Sequence, residues 1–103
     1  MYRISFYVPS LNAEKVKSAM FEAGAGEDGN YSQCSWQTDG MGQYMPINKA
    51  NPAIGEIDQI EIIPEVKVEM ICHKDKIKEV VTSMKNTHPY ESVAYSVVRM
   101  EDI

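Results

Sequence analysis

Two periods of apolar residues alternate along this chain. From Tyr2 to Val8 the period is two, with Tyr2, Ile4, Phe6 and Val8 on one face and Arg3, Ser5 and Tyr7 on the other, the pattern of a half-buried strand that Pro9 ends. After Ser10 or Asn12, either of which can cap a helix, the period lengthens. Val16, Ala19, Met20 and Ala23 fall at i, i+3, i+4 and i+7, one stripe of an amphipathic helix, and Gly24 supplies its left-handed stop. Tyr31 to Thr38 returns to alternation, with Ser32, Cys34 and Trp36 opposite Tyr31, Gln33, Ser35 and Gln37. Thr38-Asp39-Gly40 predicts a turn and Gly42 to Ile47 its partner strand, so a hairpin is expected here. Asn48 to Gly55, with Asn51-Pro52 and Gly55, reads as a loop that folds over a surface or meets another subunit.

The second half repeats the first in outline. Ile57 to Ile63 is extended, Pro64 interrupts it at an edge, a bulge or a bend, and Val66, Val68, Met70 and Cys72 resume against Lys67, Glu69 and Ile71. Asp75 is the expected cap of a second helix whose stripe is Ile77, Val80, Val81 and Met84. His88 precedes Pro89 and is pushed out of the α region, which ends that helix near Asn86. Ala94 to Met100 supplies a last strand, with Ala94, Ser96, Val98 and Met100 alternating with Tyr95, Val97 and Arg99.

Two helices of one stripe each cannot shield themselves from water, so both are expected on one face of a single sheet. The order predicts an α+β fold, a ferredoxin-like βαββαβ sandwich with an inserted β-hairpin, formed as one domain over residues 1–103. The other face of the sheet must meet solvent or a partner. With Tyr7, Ile71, Tyr95 and Val97 assigned to it, a homo-oligomer, dimer or trimer, is expected.

Charge narrows the partners. The chain carries a formal charge of -5 with acids scattered among lysines and no basic stripe, which argues against direct nucleic-acid binding. No apolar run approaches the ~20 residues of a membrane helix, and Met1 to Val8 resembles a strand more than a targeting leader, so a cytoplasmic protein away from membranes is expected. Cys34 and Cys72 are too few and too far apart in sequence for a disulfide framework and are expected to be reduced, buried and small.

The chemistry concentrates in Thr87-His88-Pro89-Tyr90-Glu91, an imidazole, a phenol and a carboxylate at a helix-to-strand junction. These residues also admit a purely structural reading, in which Pro89 stops the helix, Tyr90 packs and Glu91 caps. The functional reading makes His88, Tyr90 and Glu91 a ligand pocket, joined by Trp36 and Asn30 from the neighbouring hairpin or subunit. Trp36 and Asn30 have bland alternatives too, as a core or interface residue and a turn former. A divalent metal is the second possibility, held by His88 and Glu91. One such pair falls short of the three or four ligands of a tight site unless copies meet around an axis. Cys72 and His73, adjacent on a strand, point to opposite faces. The glycine-rich run Gly24 to Tyr31 follows a helix rather than preceding one and lacks a Gly-Lys-Ser/Thr sequence, so it predicts a tight turn and not a phosphate cradle. Neither Cys34 nor Ser35 has a base or triad partner in reach of sequence argument, and an enzyme is the least supported class.

Four motifs together carry a family resemblance: Gly24-Ala25-Gly26-x-x-Gly29-Asn30-Tyr31-x-x-Cys34-Ser35-Trp36, Gly40-x-Gly42-x-Tyr44-x-Pro46, Ala50-Asn51-Pro52-x-Ile54-Gly55 and His88-Pro89-Tyr90-Glu91. In this order they resemble the insert domain of the Nif-three-like (NGG-interacting factor, YqfO-type) family. The last motif is also similar to the CutA divalent-ion tolerance proteins, whose trimeric ferredoxin-like fold is related to the PII signalling proteins. The chain departs from the family at Ser92-Val93, where Glu/Val-Pro is frequent, and at Tyr44, where Phe is frequent. The resemblance implies a CutA/PII-like fold. Full-length members resemble hydrolases with a two-metal centre built from His and Glu in flanking domains, and two histidines here cannot rebuild that centre. The expected function is therefore a non-enzymatic, oligomeric PII/CutA-like module that binds a small ligand or a protein partner in a regulatory or structural role. The alternative is divalent metal binding through the His-Pro-Tyr-Glu turn.

Overall fold

The computed structural model describes residues 1–103. Strand β1, Tyr2–Pro9, buries Ile4, Phe6 and Val8 on one face, as its alternation requires. A single 3-10 turn, Ser10–Asn12, leads into helix α1, Ala13–Glu22, which buries Ala13, Val16 and Met20. Gly24, at φ 114°, takes the left-handed position just past the helix. Strand β2 is Trp36–Tyr44 and β3 is Glu61–Cys72; helix α2, Ile77–Thr87, and strand β4, Tyr95–Arg99, complete the chain. The sheet order is β2-β3-β1-β4 with every pairing antiparallel, the arrangement of a split βαβ. The helices contact each other and pack on one side of the sheet, where Val16, Met20, Val80 and Met84 meet the inner residues of β1 and β3. No helix is long and apolar enough to cross a membrane.

The inserted hairpin expected around Asp39-Gly40 is absent. Instead β2 runs unbroken through both glycines and pairs residue for residue with β3, from Trp36 opposite Glu69 to Tyr44 opposite Glu61. Gly40 and Gly42 keep negative φ and act as extended residues, while left-handed backbone appears at Gln33, Asn48, Asp58 and Gly55 in the flanking loops. Pro64 likewise does not interrupt β3. Pairing with β1 reaches only Glu65, opposite Pro9, so Pro64 lies where β3 has a neighbour on one side alone, the edge setting in which a strand tolerates proline.

Three smaller expectations also need correction. The position before α2 is held by Lys76, not Asp75, and neither helix start carries a side-chain cap. Cys72 is buried but Cys34 is only partly so. Tyr95 and Val97 pair with Phe6 and Ile4, which places them on the helix-facing side; the rear of β4 is formed by Ser96 and Val98, beside Ser5 and Arg3. Tyr7 and Ile71 do lie on the rear face, since they alternate with the buried positions of β1 and β3.

The molecule is long for its mass. It measures 46 × 25 × 24 Å because the β2–β3 ribbon extends beyond β1 and β4. Its radius of gyration is 14.6 Å, whereas a compact chain of this length has about 13 Å. It exposes 7090 Å², against roughly 5,800 Å² for a compact monomer of this mass.

Candidate functional site

Helix α2 ends at Thr87 because Pro89 forces His88 into extended backbone, at φ -71° and ψ 138°. The chain then turns along the end of β1 before entering β4, whose pairing with β1 stops at Phe6. His88 takes up the next position. Its Nε2–H donates to the Tyr7 carbonyl at 2.7 Å, and its Nδ1 accepts the Tyr90 backbone N–H at 3.1 Å. A carbonyl can only accept and an amide N–H can only donate, so the two bonds define a neutral imidazole protonated on Nε2. The ring is 7% exposed and packs edge-on against Phe6. Burial pushes its pKa below the ordinary value, opposed by the Tyr7 hydrogen bond and the charge of Glu65.

That clasp orients Tyr90. Its ring lies 5.0 Å from His88 and 5.6 Å from Tyr44, tilted against both, and its hydroxyl donates to Glu65 Oε2. Glu65 points to the rear of the sheet, opposite Gly40 and diagonal to Gly42. A Cβ at Gly42 would overlap the Glu65 carboxylate, so this glycine makes the space the carboxylate fills. The segment between β2 and β3 folds back over the same face. It is tied down by the Tyr44 hydroxyl donating to the Ile54 carbonyl at 2.7 Å, and by the Asn51 N–H donating to Glu91 Oε1 at 3.0 Å.

Sheet, loop and clasp enclose an open cleft of about 410 Å³, within the roughly 300–1,000 Å³ of small-ligand sites. Tyr7, Tyr44 and Tyr90 and the carboxylates of Glu65 and Glu91 line it, with Pro46 and neighbouring loop residues as an apolar wall. Burial, then the charges of Glu61 and Glu65, raise the Tyr44 pKa; burial and the Glu65 hydrogen bond raise that of Tyr90 far more. Both phenols therefore stay protonated at neutral pH.

The structure brings together three of the five residues singled out in the sequence. Tyr90 and Glu91 line the cleft, and His88 stands behind Tyr90 as its support. Trp36 and Asn30 lie elsewhere in the chain. Trp36 sits at the far end of β2 from Tyr44, about 27 Å along the strand, and is 70% exposed. Asn30 is in the exposed turn bridged by Asp28 and Tyr31. As for a metal, both ring nitrogens of His88 and one Glu91 oxygen already have partners, and no three His, Cys, Asp or Glu side chains cluster anywhere in the chain. The glycine-rich loop spends its amides internally: Gly26 N–H donates to the Ile71 carbonyl at 2.8 Å, and Gly24 and Ala25 donate back to α1.

Sequence reasoning missed Tyr7, Tyr44 and Glu65 as site residues. Glu65 carried a usable signal, an acid inside an alternating strand, but its position opposite Gly40 and diagonal to Gly42 is visible only once β2 is read as one strand.

Topology and site together define a small CutA/PII-like α+β domain with a cleft behind its sheet. No family model matches the chain. The periplasmic divalent cation tolerance protein CutA from Archaeoglobus fulgidus has the same fold, with a TM-score of 0.68 over 99% of this chain and 86% of that one; at 20% identity the likeness concerns the fold alone. A Bacillus cereus protein related to NIF3 matches at a TM-score of 0.80 and 35% identity, over 98% of this chain and 26% of that one. In sequence the chain is 38% identical over 99 residues to the GTP cyclohydrolase 1 type 2 homolog of Bacillus subtilis, covering 96% of this chain and 26% of that protein. The chain is thus homologous, over nearly its whole length, to one segment of the Nif3-related proteins, and it spans about a quarter of these relatives' length.

Proposed function

We propose that this chain is a non-catalytic, self-associating domain whose rear cleft binds a small ligand or a segment of a partner protein. The observation that carries self-association is surface. The chain exposes 7090 Å², an excess of roughly 1,300 Å² over a compact monomer of its mass, and a standard interface hides about 800 Å² per partner. Two strand edges are unpaired, β2 and β4, and β2 is exposed along most of its nine residues, including Trp36 and Met41. A bare edge of that length favours pairing with another chain. A non-catalytic role is supported by the state of the reactive groups. His88 spends both nitrogens on backbone, and burial raises the Cys72 thiol pKa, which keeps it protonated.

Sedimentation velocity tests the association. The expected result is a single species at micromolar concentration with a mass at least twice 11.6 kDa. A mass of one chain at every concentration up to the millimolar range contradicts it.

A further inference from the structure

The cleft is one-sided in charge. Among its lining residues are Glu65 and Glu91 and no lysine, arginine or histidine, and Glu61 adds its charge at Tyr44. These carboxylates are not neutralised within the chain, whose ion pairs are Lys17 with Glu14 and Lys67 with Glu69. The cleft also holds the rings of Tyr7, Tyr44 and Tyr90. Carboxylates beside aromatic faces favour a cation that is also a hydrocarbon: the acids supply Coulomb attraction and hydrogen-bond acceptors, the ring faces attract positive charge, and the apolar wall accepts an alkyl stem. The same field repels phosphate and carboxylate ligands.

We infer that the cleft behind the sheet is a site for an organic cation, an alkylammonium or guanidinium group seated among Tyr7, Tyr44 and Tyr90 with Glu65 and Glu91 as its counter-charges. This rests on the reading of the cleft as a ligand site and names the ligand's chemistry. The group belongs either to a free amine or to a lysine or arginine of a partner protein, since both present the same head on an alkyl stem.

Amide chemical-shift titration of the labelled chain distinguishes the outcomes. Butylammonium, agmatine, butanol and butyrate are the probes, with a short lysine-containing peptide as a separate arm. The two cations are expected to shift residues 44–54, 65 and 90–92 saturably, and butanol and butyrate to leave them in place. Glu65→Gln with Glu91→Gln keeps acceptors for Tyr90 and Asn51 and is expected to weaken the cations about tenfold. Tyr7→Leu retains the apolar surface, lacks the ring, and is expected to weaken them several-fold. Tighter binding of the peptide than of butylammonium assigns the cation to a partner's side chain, and the reverse order assigns it to a free amine; either supports the site. If butanol binds as well as butylammonium, the cation assignment fails while the cleft stands as a ligand site. If no probe shifts these residues, both fail.

Discussion

Replacing His88 with alanine is expected to cost about 2–4 kcal/mol of stability, from the two backbone groups it leaves unpaired and the packing it removes, and to lower the melting temperature by roughly 10–20 °C. The Tyr7 carbonyl and the Tyr90 N–H lose their partners, and the ring beside Phe6 disappears. The loss extends to the cleft, because Tyr90 is aimed at Glu65 by the bond its own N–H makes to His88. The wild-type chain carries a matching pH signature. Burial holds the folded imidazole below the ordinary value of 6.5, so the unfolded chain takes up a proton that the folded one refuses. The stability this group contributes is complete above about pH 6.5. It falls as the pH drops through that value toward the lower folded pKa, below which the group adds no further loss. Urea titrations at a series of pH values are expected to show this slope in the wild type and not in His88→Ala. An alanine variant that keeps full stability and the same slope would remove His88 from the account.

Phe6→Ala is expected to cost about 3–5 kcal/mol, the range for deleting a fully buried aromatic side chain. A domain of this size has only about 5–15 kcal/mol to lose. Phe6 is completely buried at the centre of β1, pairs with Val68 and Tyr95 across the sheet, and meets the edge of His88. Tyr7, one residue later, faces the rear and is 44% exposed; its substitution by Leu is expected to change stability by about 0.5 kcal/mol or less. Chemical denaturation at fixed protein concentration, which holds association constant, checks both. Equal losses at the two positions would mean that the faces of β1 have been assigned wrongly.

Much of this fold was legible because period and burial agree. The alternation of Tyr2 to Val8 and the stripes Val16–Met20 and Val80–Met84 each specify one buried face, and a sheet with two such helices has few ways to close. The misreadings share a cause. Asp39-Gly40 has the local chemistry of a turn and Pro64 that of a break, but both lie where β2 and β3 pair residue for residue, and that pairing across the chain sets their geometry. The face of β4 was misassigned for a similar reason, since a strand with apolar residues on both sides fixes its orientation only through its register with β1. The clasp was half visible: the His-Pro step announces the end of α2 and the change of direction. The backbone carbonyl that His88 finds, 81 residues earlier in the chain, leaves no trace in spacing.

The claim on which the functional reading turns is that the long edge of β2 is covered by another copy of the chain. Amide hydrogen exchange along Trp36–Tyr44 measures this directly. The amides of β2 that point away from β3 are expected to be protected, with protection that strengthens as protein concentration rises. Exchange of those amides at the rate of an unstructured peptide, unchanged by concentration, would contradict the account.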